Sequence, residues 1–159
     1  MHLLVGEWSG RGVADFPTID RVEYDETLRY EWDEGRSVLV YEQRAQLGDG
    51  TPSHRESGFI RPLDDGRVEL WNAQNNGRTE VLRGSAMWSE ADQTLTLEVK
   101  SVDFGNDERM LHSERRIRVR AGRLTYELIM ATTTTGDATP RSHLTAELDR
   151  STEGAAPRG

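Results

Sequence analysis

Hydrophobic residues along this chain recur at every second position more often than at every third or fourth. Ile117 and Val119 alternate with Arg116, Arg118 and Arg120, and Leu124, Tyr126, Leu128 and Met130 share one face of a single run. A period of two is the signature of a half-buried strand. The clearest strand-like runs are Ser37 to Gln46, Ser57 to Arg61, Val68 to Asn72, Thr94 to Val102, Glu114 to Arg120, Leu124 to Ala131 and His143 to Leu148. Weaker ones are Gly6 to Val13, Glu23 to Trp32 and Thr79 to Ser85. Turn-forming clusters separate them, among them Asp33-Glu34-Gly35, Gly48-Asp49-Gly50, Asp64-Asp65-Gly66, Asn75-Asn76-Gly77, Ala121-Gly122 and Gly136-Asp137. No window of helical length shows an apolar stripe, and only a short helical turn is expected, around Pro17 to Ile19.

Many short strands joined by tight turns make an all-β domain. About ten of them in one domain favour a single closed antiparallel β-barrel, because closure removes exposed sheet edges. A barrel of that size has room for one small ligand in an interior cavity. We assign residues 1–150 to this barrel. The small, polar, Pro- and Gly-containing residues 151–159 read as a disordered tail.

Composition narrows the chemistry. With no cysteine among 159 residues, disulfides, thiolate metal sites and cysteine nucleophiles are excluded. A formal charge of −8, from 28 acidic and 20 basic residues, disfavours nucleic acid and anionic membrane surfaces as partners. The first apolar run, Leu3-Leu4-Val5, is too short for a signal or membrane segment, so a cytoplasmic protein is expected. Nearly every basic residue is arginine, and Lys100 is the only lysine.

Four histidines remain as candidate ligands. His2 is expected to be disordered and His112 to be a solvated surface residue among charged neighbours. His54 lies at the mouth of a strand, and His143 opens the last one. None of their spacings is a zinc motif. The sequence also lacks a nucleophile elbow and a phosphate-binding loop, and Gly6, Gly10 and Gly12 do not have dinucleotide-loop spacing. Glycines at the start of a barrel strand are expected instead to allow bending and close backbone approach.

Several motifs, in order, resemble those of the nitrobindins, a family of haem-binding β-barrels. They are Gly6-Glu7-Trp8-Ser9-Gly10-Arg11-Gly12, Phe16-Pro17-Thr18-Ile19, His54-Arg55-Glu56-Ser57-Gly58-Phe59-Ile60-Arg61, Arg67-Val68-Glu69-Leu70, the run from Arg123 to Ala131, and His143-Leu144-Thr145-Ala146-Glu147-Leu148-Asp149-Arg150. The resemblance implies a haem b cofactor with His143 as the iron ligand. It also implies that Thr18 lies beside the haem, with His54 and Met130 lining the pocket. Met130 is equally accountable as core packing on the Leu124 face.

Three local features stand out against the family pattern. Only five residues precede Gly6, so one barrel edge is expected to be thinly covered. The stretch from Trp71 to Gly77 is unusually polar. On a regular strand His143 would also point the opposite way from Leu144, Ala146 and Leu148, and a β-bulge near His143 would resolve this.

A single histidine ligand leaves one axial position of haem iron open for small molecules. Because iron competes with a proton for the same imidazole nitrogen, haem binding is expected to weaken in acid. The resemblance implies binding of nitric oxide and conversion of peroxynitrite to nitrate by the ferric iron, which makes the protein a peroxynitrite isomerase, as monomer or homodimer. The alternative is a non-catalytic carrier or sensor for haem, nitric oxide or a fatty-acid-like ligand. A carrier of carboxylates would want a basic residue deep in the cavity; Arg44, Arg116 and Arg118 are expected to face solvent.

Overall fold

The structure, a computed structural model, describes residues 1–17, 20–135 and 138–151. Thr18, most of the expected turn near Pro17, and the tail beyond Ser151 lie outside the described residues. Ten strands follow one another: β1 (Gly6–Ala14), β2 (Val22–Asp33), β3 (Val38–Leu47), β4 (Pro52–Pro62), β5 (Arg67–Gln74), β6 (Thr79–Ser89), β7 (Thr94–Gly105), β8 (Met110–Arg120), β9 (Arg123–Thr132) and β10 (Arg141–Arg150). Each pairs antiparallel with its sequence neighbour, and β1 pairs with β10 to close the barrel. All ten runs expected from the alternation are strands. Several are longer than expected; in β5 the polar Gln74 continues the inward face past Asn72.

Inward positions are filled by Trp8, Leu28, Leu39, Ile60, Leu70, Leu82, Leu97, Leu124 and Leu148, which pack into one apolar cluster. Each such side chain stabilises the fold by roughly 1.5–3 kcal/mol. Charged residues occupy the outward positions, as in the Arg44–Glu42–Arg55 and Arg83–Glu69 pairs. This is the reverse of the apolar-out pattern of a membrane-spanning barrel. Among the described residues no helix is long and apolar enough to cross a membrane.

The edge expected to be thinly covered is instead sealed. His2–Leu4 forms a 3₁₀ turn that buries Leu4 completely, and the Trp8 indole N–H donates to the Leu4 carbonyl at 2.8 Å. The Arg150 guanidinium lies 4.2 Å from the Trp8 ring centre and donates to the carbonyls of Val5 and Leu3. His2 is therefore ordered, contrary to expectation, its ring 5.0 Å from that of Trp32. The opposite end, where β1 finishes and β10 begins, is the mouth.

Two glycines of the opening motif have separate reasons. At Gly10 a Cβ would collide with the Glu147 backbone, which is the close backbone approach expected. At Gly12 it would collide with the Tyr24 ring instead. Tyr24 on β2 crosses Gly12 on β1 and Ala146 on β10 to reach Tyr126 on β9, because those two intervening inward positions are small.

Candidate functional site

A cavity of about 620 Å³ runs from the mouth into the barrel. Its deep walls are Leu28, Ile60, Leu70 and Ile117; its upper walls include Phe16, His54, Leu128, Met130 and Leu144. A second cavity of about 330 Å³ adjoins the mouth, lined by His143, Met110, Thr132, Arg109 and Arg141. Phe16, Arg78 and Met130 line both.

The position of His143 follows from an irregularity in β10. Leu144, Ala146 and Leu148 point inward in regular register with β9, and a bulge falls between Ser142 and Leu144. The extra residue lets His143 turn inward as well, with only 6% of its surface exposed. Its Nδ1 lies 3.1 Å from the Asp15 carbonyl oxygen. A carbonyl only accepts, so Nδ1 carries the hydrogen and the lone pair of the neutral ring sits on Nε2. The Asp15 N–H donates back to the His143 carbonyl at 2.8 Å. Phe16 stacks on the imidazole, with ring centres 5.1 Å apart and planes 9° from parallel. A ring held by a carbonyl on one nitrogen, with the other nitrogen basic, is the usual preparation of a metal-ligating histidine.

Below the mouth the barrel interior is unexpectedly polar. Arg115 donates to both carboxylate oxygens of Glu56 and, at 2.8 Å, to Glu80. Tyr41 donates to Glu56 at 2.8 Å and Asn72 to Glu80 at 3.0 Å. Burial alone would raise the Glu56 carboxyl, but the charges of Arg115 and His54 beside it override burial and hold it well below the usual carboxylate range. His54 lies 3.4 Å from Glu56 through Nε2. Glu26 is different. Burial pushes it up to about 7, although Tyr126 and Gln43 donate to it, and the nearby Glu56 charge adds to the rise. Those hydrogen bonds do not offset the desolvation.

The structure thus places His143 in the smaller cavity, His54 in the larger and Met130 in the wall of both, while Thr18 lies outside the described residues. His112 is half-buried rather than fully solvated, 3.6 Å from Glu114. Arg44 and Arg118 face solvent as expected, and Arg116 is partly exposed. Arg115 is the interior cation the sequence reading passed over. It has the same phase as Ile117 and Val119, so the alternation itself marked it as inward. The same phase rule applied to Leu28 and Tyr30 marks Glu26.

Residues 1–150 match the family described as THAP4-like, heme-binding beta-barrel domain. The chain belongs to that family. This THAP4-like barrel is 34% identical over 151 residues to a peroxynitrite isomerase of Arabidopsis thaliana, covering 94% of this chain and 86% of the relative. It is 37% identical over 140 residues to peroxynitrite isomerase 1 of Rhodococcus jostii, covering 87% and 74%. The crystal structure of Rv2717c from M. tuberculosis superposes with a TM-score of 0.84 at 30% identity, covering 94% of this chain and 93% of that one.

The residues present fit the cofactor of this haem-binding family. The donor set is one neutral imidazole, which suits haem iron and not a closed zinc site. Among the described residues no group of three or more His, Asp or Glu could hold a bare metal ion. The walls near His143 are aromatic, aliphatic and thioether groups, and Arg78, Arg109 and Arg141 stand around the same opening, suited to propionate carboxylates.

Proposed function

We propose that the barrel holds haem b through His143 Nε2 and, so loaded, converts peroxynitrite to nitrate. The observation that supports this reading is the bulge at His143: it spends one strand residue to turn an imidazole inward, with its hydrogen fixed on Nδ1 by Asp15. When bound, ferric haem supplies the site at which peroxynitrite rearranges to nitrate, and it also binds nitric oxide.

The chain's part is to bind, orient and exclude. His143 would hold the haem iron through its Nε2. Asp15 and Phe16 fix the imidazole in tautomer and in plane. Met130, Leu128 and Leu144 keep bulk water from the opening, and His54 completes the pocket wall. No side-chain acid or base is required by an isomerisation that begins and ends with the same atoms.

A fatty-acid carrier is the weaker reading, because the buried cations lining the large cavity are already engaged: Arg115 is shared between Glu56 and Glu80, and Arg78 stands against Glu80 and Asp107. The test is stopped-flow decay of peroxynitrite with anion analysis. Haem-loaded protein is expected to speed decay and shift product from nitrite toward nitrate, in proportion to haem occupancy. Decay and nitrate yield equal to those of the haem-free chain would overturn the reading.

A further inference from the structure

Four polar side chains meet in the wall of the large cavity, on strands other than the one that carries His143. The Tyr24 and Tyr126 hydroxyls lie 2.9 Å apart. Tyr126 donates to Glu26 Oε2 at 2.7 Å. Gln43 spends its two amide hydrogens on Glu26 Oε1 at 2.8 Å and on the Tyr126 oxygen at 3.0 Å. Tyr24, Gln43 and Tyr126 line the cavity, and Glu26 sits behind them with 2% of its surface exposed.

Counting hydrogens shows that this chain has two polarities. With Glu26 ionised, Tyr126 donates to Glu26 and Tyr24 donates to Tyr126, so the Tyr24 oxygen can only accept. With Glu26 protonated, its O–H donates to Tyr126, Tyr126 donates to Tyr24, and the Tyr24 hydrogen is released toward the cavity. One proton reverses every bond in the chain without moving a heavy atom.

We propose that the deep end of the large cavity, beneath the upper-wall residues assigned to the haem pocket, is a second ligand site, for a small uncharged apolar molecule bearing one carbonyl oxygen, which accepts from the Tyr24 hydroxyl as Glu26 takes up a proton. Leu28, Ile60, Leu70 and Ile117 supply the apolar walls. An uncharged acceptor suits the site better than a carboxylate. Both buried arginines lining the cavity are already matched, Arg115 by Glu56 and Glu80 and Arg78 by Glu80 and Asp107, so a ligand anion would meet Glu56 and Glu26 with no free partner.

The groups facing Glu26 are Tyr24 and Tyr30 on its own strand, Tyr41 and Gln43 on β3, His54 and Glu56 on β4, Arg115 on β8 and Tyr126 on β9; β1 and β10 present only Gly12 and Ala146 beside the tyrosine pair. Burial keeps all four tyrosine hydroxyls protonated in the neutral range, and Glu56 stays ionised there. Of Glu26 and Glu56, Glu26 is the one that changes state near neutrality.

The probe is acetophenone, added to the full chain without hemin, which keeps this test separate from the haem reading. Saturable binding at one per chain is expected, with the carbonyl stretch moved to lower frequency by a hydrogen bond. Tyr24→Phe is expected to abolish that shift and weaken binding about fivefold. Affinity is expected to fall by about tenfold per pH unit above about 7. Glu26→Gln removes this dependence and His54→Gln keeps it. No saturable binding, a carbonyl shift that survives Tyr24→Phe, or a pH dependence that survives Glu26→Gln would each overturn the proposal. Should Tyr24→Phe fail to fold, the pH profile of Glu26→Gln decides alone.

Discussion

Arg115→Met removes the one cation that Glu56 and Glu80 share inside the barrel. Methionine fills a similar volume, so the cost falls on electrostatics. Glu56 and Glu80 have 3% and 2% of their surface exposed and cannot be hydrated in place. Both lose guanidinium hydrogen bonds. Breaking a buried pair from one side costs about 3–5 kcal/mol, a large part of the roughly 5–15 kcal/mol that holds a domain together. Urea unfolding of both proteins across pH measures it. In the parent, Glu56 has a folded pKa well below the ordinary 4.5, so its stabilisation is present above that value and lost as pH falls through the folded pKa. In the variant Glu56, left with Tyr41 and His54 alone, is instead relieved by protonation. The stability gap is therefore widest near pH 8 and narrows toward pH 5. Adding Glu56→Gln to the variant is expected to recover at least half of the loss. A gap below about 1 kcal/mol at pH 8, of the size given by a solvent-exposed ion pair, would refute the reasoning.

Three further outcomes follow from the same interior. Glu26 is raised from 4.5 to about 7, so the folded state holds a proton that the unfolded state releases first; parent stability should fall as pH rises across that window, by on the order of 3 kcal/mol in total. Glu26→Gln should flatten this part of the urea-midpoint profile, and an unchanged profile counts against the assignment. Gly12→Ala drives a methyl into the Tyr24 ring and should cost about 1–3 kcal/mol in thermal unfolding, partly regained with Tyr24→Leu; a neutral Gly12→Ala would mean the ring does not lie there. Phe16→Ala frees one face of the His143 imidazole and should weaken hemin binding about tenfold, read by competition with apomyoglobin; unchanged affinity would deny Phe16 a positioning role.

The barrel was legible because alternation and turn chemistry agree along most of the chain: the runs from Gly6 to Arg150 have an inward apolar phase, and six of the connections between them carry a turn-forming Gly, Asn or Asp cluster. Strand ends were less legible. Gln74 continues the inward face of β5 past Asn72 as a polar residue, and a rule that looks for apolar alternation stops too early. The bulge at His143 could be inferred, since the ligand and the Leu144-Ala146-Leu148 face cannot both point inward on a regular strand. What no pattern could show is the polar interior. Glu26, Glu56 and Arg115 are inward by phase, but whether buried charges are tolerated depends on partners from β2, β3, β4, β6, β8 and β9 meeting in space. The seal at the far end was missed for a similar reason: it rests on Arg150 reaching back across 145 residues of sequence to Val5.

The most direct test of the account is a hemin titration followed by visible absorption, comparing the native chain with His143→Ala. The account predicts a Soret band that saturates at one haem per native chain and is shifted or lost in the variant, whose barrel remains folded by circular dichroism. A native chain that gives no saturable Soret change, or a variant that binds hemin with the same spectrum and affinity, would contradict the claim that this bulged histidine holds the cofactor.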